Sequence, residues 1–299
     1  MKFLLTGGTG FLGSVLSRKL SNYGHQITIL SRKTALPLAL QGHDIRLIND
    51  IFSLRKTDQF DVVINLAGEG IADRPWSATR KQLLRTSRLA TTEELLRAMQ
   101  RLKSPPPLLL SGSATGIYGS TTAGAVDENT ALALHPDDFA QQLCMEWENA
   151  ARQANGMKVL LLRSGVVLGS GGLLARLLPL FRLGLGGRLG DGQQLMSWVH
   201  IDDWVAMVLF LIQHDCAAGP YNLTSPAPVS NAEFTRLLAT QLHRLALLSL
   251  PGSLLQLALG DMSQLLLGSQ HVLPGQLMKA GYNFRYPEAG LALNQILMR

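Results

Sequence analysis

The chain opens Met1-Lys2-Phe3-Leu4-Leu5-Thr6-Gly7-Gly8-Thr9-Gly10-Phe11-Leu12-Gly13. A short apolar run, Phe3 to Leu5, stops at a glycine cluster, and an amphipathic segment starts straight after it. That order reads as strand, tight turn, helix, which builds a phosphate site. Gly7 allows a turn that a Cβ would resist, Gly10 lets the backbone approach a pyrophosphate, and Gly13 lets the helix pack closely on the strand. The start of such a helix offers unpaired N–H groups and a positive dipole end. The spacing Gly-x-x-Gly-x-x-Gly departs from the general Gly-x-Gly-x-x-Gly fingerprint, and alone it also fits an ordinary strand-to-helix turn. The next element argues for the phosphate site. A second strand, Gln26 to Leu30, ends in Ser31-Arg32-Lys33, about 20 residues on, where the fingerprint places its ribose-reading residue. An Asp or Glu there would take the 2′-hydroxyl of NAD. Arg32 and Lys33 instead suit the 2′-phosphate of NADP, although a basic pair after a strand is also compatible with plain solvated surface.

Working outward, 299 residues with 46% apolar composition suffice for one large α/β domain and a smaller appendage. The net charge of +6 favours anionic ligands, but no Lys/Arg run exceeds two residues, so a nucleic-acid footprint is not expected. Cys144 and Cys216 are far apart and belong to no Cys-x-x-Cys, which suggests neither a disulfide framework nor a metal site. The longest apolar tract, Leu245 to Leu259, is interrupted by Pro251-Gly252 and is too short for a membrane span. With no secretory leader visible ahead of the glycine turn, the expectation is a cytoplasmic protein without membrane partners.

Further strands are expected at Ile45 to Ile48, from Asp61 to Glu69, from Leu108 to Leu110 and ending within Ser111 to Gly119, at Lys158 to Arg163 and at Tyr221 to Leu223. They alternate with helices near 11–23, 78–101, 137–155, 202–213 and 229–242, with 173–183 less regular; the charge of the second, Arg80, Lys81, Arg85 and Arg88, reads mostly as a solvated face, and Asp202 or Asp203 is expected to cap the fourth. This alternation predicts βαβ units and a doubly wound parallel sheet. Residues 1–245 would form the nucleotide-binding domain, and 246–299 a small, mostly helical C-terminal domain on the substrate side.

Four stretches together carry a family resemblance: Thr6 to Gly13, Asn65-Leu66-Ala67-Gly68, Ser111-Gly112-Ser113-Ala114-Thr115 with Tyr118-Gly119, and Trp198-Val199-His200-Ile201-Asp202. They resemble the motifs of the extended short-chain dehydrogenases/reductases, the superfamily of nucleotide-sugar epimerases and dehydratases with a Rossmann-type fold. Phe181 to Gly187, Arg163 to Gly169 and Cys144-x-x-Trp147-Glu148 are similar to one atypical branch, whose members are called epimerase family proteins or NADP-dependent oxidoreductases and end in a small domain of unknown function. The resemblance implies an NADP(H) site made of Gly7, Thr9, Gly10, Phe11, Leu12, Gly13, Ser31, Arg32, Leu66, Ala67, Arg88 and Val167. It also implies a small-molecule substrate with a carbonyl or hydroxyl group, such as a nucleotide sugar, and allows a homodimer.

One departure bears on the chemistry. Superfamily enzymes hold the substrate oxygen with a Ser or Thr, and use a Tyr whose pKa a Lys four residues later lowers. Ser113 matches the serine, but the Tyr-x-x-x-Lys pair should fall at Phe139 and Leu143, which have neither hydroxyl nor charge. Among other donors, Tyr118 lies a few residues past Ser113 in a loop expected to face the pocket, unless it is simply packed. His200, Asp202 and Asp203 are also adequately explained as caps, and His135 as loop. Arg182 and Arg188 flank the glycine-rich 184–192 loop and could clasp an anionic substrate group or be solvated. The expected function is thus an NADP(H)-dependent oxidoreductase or epimerase-like enzyme with a rearranged acid/base; the alternative is a non-catalytic NADP(H)-binding scaffold or redox sensor.

Overall fold

The computed structural model describes residues 1–298. Its centre is a seven-stranded, all-parallel sheet of β1 (Lys2–Thr6), β2 (Gln26–Leu30), β3 (Ile45–Ile48), β4 (Val62–Asn65), β5 (Leu108–Ala114), β6 (Lys158–Ser164) and β7 (Gly219–Leu223). The spatial order is β7-β6-β5-β4-β1-β2-β3. The order therefore reverses at β1 and β4, and ligands of such sheets bind outside the strands' carboxyl ends at this switch point.

Both faces of the sheet are covered, which is why its strands read as unbroken apolar runs. On one face Leu5, Ile29, Ile64 and Leu162 pack with Leu16 and Leu20 of α1 (Phe11–Asn22). On the other, Leu4, Val63 and Leu109 meet Leu95 and Met99 of α2 (Ala78–Gln100), next to α3 (Phe139–Ala151). Two further helices, α4 (Gly172–Arg182) and α5 (Ile201–Gln213), follow β6, and α5 adds Trp204 and Val208 to the first face. Then come α6 (Asn231–Gln241), α7 (Gly252–Leu259) and α8 (Ala289–Leu297). Leu174 of α4, Phe234 and Leu238 of α6 and Leu293 of α8 form a third cluster around Trp198.

The C-terminal segment is sewn back onto the body. The short strand Leu248–Leu250 pairs in parallel with Gly187–Leu189, and His271–Val272 with Ala125–Val126. Among the described residues, no helix is long and apolar enough to cross a membrane.

Three local expectations change. β4 stops at Asn65, short of Glu69, because the chain beyond it turns to bond Thr6 and Ser87. Asp138 caps α3, its carboxylate accepting from Gln141 N–H, so that helix begins at Phe139. At α5 the cap is neither aspartate: His200 Nδ1 accepts from Asp202 N–H at 3.0 Å, while its other ring nitrogen lies 2.8 Å from Gln295 Oε1 of α8.

Asp203 has a different task. Its carboxylate, 2% exposed, accepts from the Tyr282 hydroxyl and from the backbone N–H groups of Arg285 and Tyr286 at 2.7–3.1 Å. Asp203→Ala would leave these donors unpaired, and buried unpaired donors are expensive. We expect a loss of about 2–3 kcal/mol of stability, read from a shifted urea midpoint; an unchanged midpoint would mean that the 282–286 turn is held by other contacts.

Candidate functional site

The glycine turn forms the floor of the site. Gly7 has φ +69°, and a Cβ on it would lie 2.5 Å from the Leu66 carbonyl oxygen; one on Gly13 would lie 2.2 Å from the Gly7 carbonyl oxygen. Only glycines let β1, the start of α1 and the chain after β4 approach this closely. Gly10 caps α1 with extended backbone and no side-chain acceptor, and the first turn carries no acid. The helix thus presents its first N–H groups uncapped at the carboxyl edge of the sheet, the arrangement that receives phosphate.

The walls are built on this floor. The Phe11 ring fills space that Cβ atoms on Gly169, Gly171 and Gly172 would invade, at 2.5–3.2 Å, and this seats the start of α4 against α1. Leu12 packs into the first core cluster, and Val167 lies buried in the Val166–Leu168 strand beside Trp198–His200. Leu66 N–H bonds the Thr6 carbonyl and Ala67 N–H the Thr6 hydroxyl, holding the chain after β4 onto β1. Thr9 Oγ1 meets Ser31 Oγ at 3.2 Å, joining the glycine turn to the end of β2.

Beside Ser31, the Arg32 side chain is 91% exposed and donates from Nη2 to Glu69 Oε1 at 3.0 Å. Arg32 holds the Glu69 carboxyl below the usual carboxylate range. Arg80 approaches the other Glu69 oxygen at 3.4 Å and continues to Gly70 and Asp73, and Asp73 in turn is bonded to Arg176 of α4. Arg88 is not the solvated charge that its helix context suggested. Its guanidinium lies under the loop, donating to the Glu69 and Leu84 carbonyls and resting on the Trp147 ring.

Further along the sheet edge, Ser113 enters a buried polar network. Gly112 lacks a side chain where a Cβ would lie 2.6 Å from the Trp147 ring, so α3 can press onto β5. This brings Glu148 to Ser113, whose hydroxyl donates to Glu148 Oε1 at 2.8 Å. Glu148 is gripped on both oxygens by Arg163 Nε and Nη2 at 2.8 and 3.0 Å. Arg163 Nη1 also donates to the Tyr118 hydroxyl, which donates to Asn222 Oδ1, both at 2.9 Å. The loop expected to carry Tyr118 towards the pocket is a short helical turn, Thr115–Tyr118, that buries it instead. Burial pushes the Tyr118 phenol up, against the pull of Arg163. Glu148 and Arg163 escaped the reading of single residues, although an arginine inside an apolar strand calls for a buried carboxylate.

Phe139 and Leu143 sit in an apolar cluster with Trp76, Leu84 and Met262. His135 lies against Gly119 and its backbone N–H donates to Gln141. Arg188 reaches Ser249, and Arg182 gives its carbonyl to Arg244. Burial pushes the Cys144 thiol up to about 12. Among the described residues, no group of three or more His, Cys, Asp or Glu could hold a metal ion.

A parallel sheet with this order, a glycine floor and a basic residue after β2 define a dinucleotide-fold protein of the short-chain dehydrogenase/reductase type. Residues 3–224 match the model of the NAD dependent epimerase/dehydratase family, and the chain belongs to that family. Residues 250–296 match a domain of unknown function, DUF1731. The chain is 38% identical over 300 residues to epimerase family protein Mb2239 of Mycobacterium bovis, covering 99% of this chain and 97% of that one. It is 35% identical over 303 residues to epimerase family protein SDR39U1 of Bos taurus, covering 99% and 100%. The crystal structure of human epimerase family protein SDR39U1 (isoform 2) with NADPH superposes with a TM-score of 0.90 at 32% identity, covering all of both chains.

Two measurements check the network. Glu148→Gln leaves Arg163 buried without a counter-charge, and we expect about 3–5 kcal/mol of destabilisation by chemical unfolding; a loss below 1 kcal/mol would show that the pair does not anchor the network. Tyr118 has a raised folded pKa, so the stability it contributes is present below the unfolded tyrosine value of about 10 and is lost as pH rises through the folded value. Tyr118→Phe should therefore flatten the fall of unfolding free energy above about pH 10, and identical slopes would assign that fall to other groups.

Proposed function

We propose that this protein binds NADP(H) and uses it as an oxidoreductase or epimerase-like enzyme on a small molecule bearing a hydroxyl or carbonyl group, a nucleotide sugar being one such class. The observation that carries the reading is the pairing of an uncapped α1 N-terminus with an exposed Arg32 just past β2. In this reading the N–H groups following Gly10 hold the pyrophosphate, and Thr9, Phe11, Leu12, Gly13, Leu66, Ala67 and Val167 line the groove. Ser31 and Arg32 take the 2′-phosphate, and Arg88 fixes the loop above. The NADPH in the related human structure supports NADP(H) as the cofactor. When bound, the cofactor supplies hydride transfer.

Ser113 is the residue that holds the reacting oxygen. Its proton is committed to Glu148, so its lone pairs remain to accept from a substrate hydroxyl, which suits the alcohol form of the substrate. Tyr118 reaches this centre only through Arg163 and Glu148, and keeps that pair aligned. A second reading, an NADP(H)-binding scaffold or redox sensor without turnover, is favoured by the apolar burial of Phe139 and Leu143 where the superfamily keeps its Tyr and Lys.

Arg32→Ala should weaken NADPH binding by roughly 10- to 100-fold, as the loss of a charge-assisted hydrogen bond implies, and leave NADH binding nearly unchanged; equal effects would remove Arg32 from the 2′-phosphate. A screen of carbonyl compounds and nucleotide sugars for NADPH oxidation tests the enzyme. Once a turnover is found, Ser113→Ala should abolish it, and an unaffected rate would show that the serine does not hold the reacting oxygen.

A further inference from the structure

Glu69 has a fixed backbone and a divided side chain. Its N–H donates to Ser87 Oγ at 3.1 Å and its carbonyl accepts from Arg88 at 3.0 Å, both partners on α2. The carboxylate stands between two arginines, Oε1 on Arg32 and Oε2 towards Arg80. The two cations differ in surroundings: the Arg32 side chain is 91% exposed, the Arg80 side chain 10%. Arg80 is also anchored through Gly70 and Asp73, whereas Glu69 holds the only carboxylate bridged to Arg32 among the described residues.

We propose that Glu69 is an internal stand-in for the cofactor's 2′-phosphate: its carboxylate neutralises Arg32 in the free protein and is displaced onto Arg80 when NADP(H) binds. The proposal rests on the NADP(H) reading of the site. The exchange is easy because the leaving carboxylate keeps one arginine while it gives up the other, so no charge is stranded. A phosphate monoester carries about 1.5–2 negative charges against the carboxylate's one, and wins Arg32. NADH, with a hydroxyl at that position, has nothing to exchange and leaves the pair closed. Glu69 thereby sets a small threshold at Arg32 that favours a multiply charged ligand group over a singly charged anion.

Exposed ion pairs are weak, so the threshold is modest and measurable. Fluorescence titration with NADPH and NADH, on the native protein, Glu69→Gln, Arg32→Ala and the double variant, tests it. Glu69→Gln should tighten NADPH binding about two- to fivefold, leave NADH affinity no higher, and have no effect on NADPH in the Arg32→Ala background. NADPH affinity unchanged or weakened by Glu69→Gln, or tightened equally in the Arg32→Ala background, would overturn the proposal. If Arg32→Ala still weakens NADPH in that case, the cofactor reading survives and only the role of Glu69 falls. Failure of the native protein to bind NADPH would overturn both.

Discussion

Contact between bare backbones governs the carboxyl edge of this sheet. Gly7 lies against the Leu66 carbonyl and Gly13 against Gly7, at separations that a single Cβ would abolish. Because α1 starts there, Phe11 can lie in the hollow of Gly169, Gly171 and Gly172, and α4 follows from that hollow. The loop after β4 is fixed on Thr6, and through Glu69 on α2. Two walls and a floor thus descend from one steric permission, and no hydrophobic burial could replace it. A methyl group at Gly13 would have to move backbone, not a side chain, which is the costly kind of overpacking.

The second organising feature is electrostatic. Phe139 and Leu143, at the positions where the family resemblance led to the expectation of a tyrosine and a lysine, lie in an apolar cluster with Met262 from the C-terminal segment. On the same helix, Glu148 supplies the buried carboxylate that meets Ser113 and Arg163. A buried Glu–Arg pair gains little net stability over an apolar replacement, yet breaking it is severe. Such a pair makes sense as a positioning device, and here it fixes both the direction in which the Ser113 hydroxyl points its proton and the burial of Tyr118.

Much of this was legible in the sequence because the governing features are local. Glycine spacing, an apolar run before it and a basic pair after the second strand are read within about thirty residues, and they place the floor, Ser31 and Arg32. The strands were legible as unbroken apolar runs, though where each stops was not, since β5 stays extended through Ser111 to Ala114 with β6 running alongside. The partner of Ser113 was hidden for the same reason, since Glu148 reaches it through the space left by Gly112. Arg88 looked like surface because helix periodicity says nothing of a loop folding over it. The cap of α5 misled in the opposite sense, for two aspartates stood where a cap is expected and a histidine, steadied by Gln295 from far along the chain, took the position.

The strand order has a consequence for how the molecule comes into being. β1 lies inside the sheet; β2 and then β3 are added on one side of it, and β4, β5, β6 and β7 in turn on the other. Every strand after the first therefore meets, as it leaves the ribosome, an edge that is already in place. Each strand after the first thus finds one neighbour ready for its own ladder of N–H and C=O groups, which limits the exposure of strand edges that leads newborn chains to aggregate. Only the C-terminal segment breaks this sequence. Its two short strands return to edges made long before, so the part that packs on Phe139 and clamps Asp203 arrives after the whole central sheet.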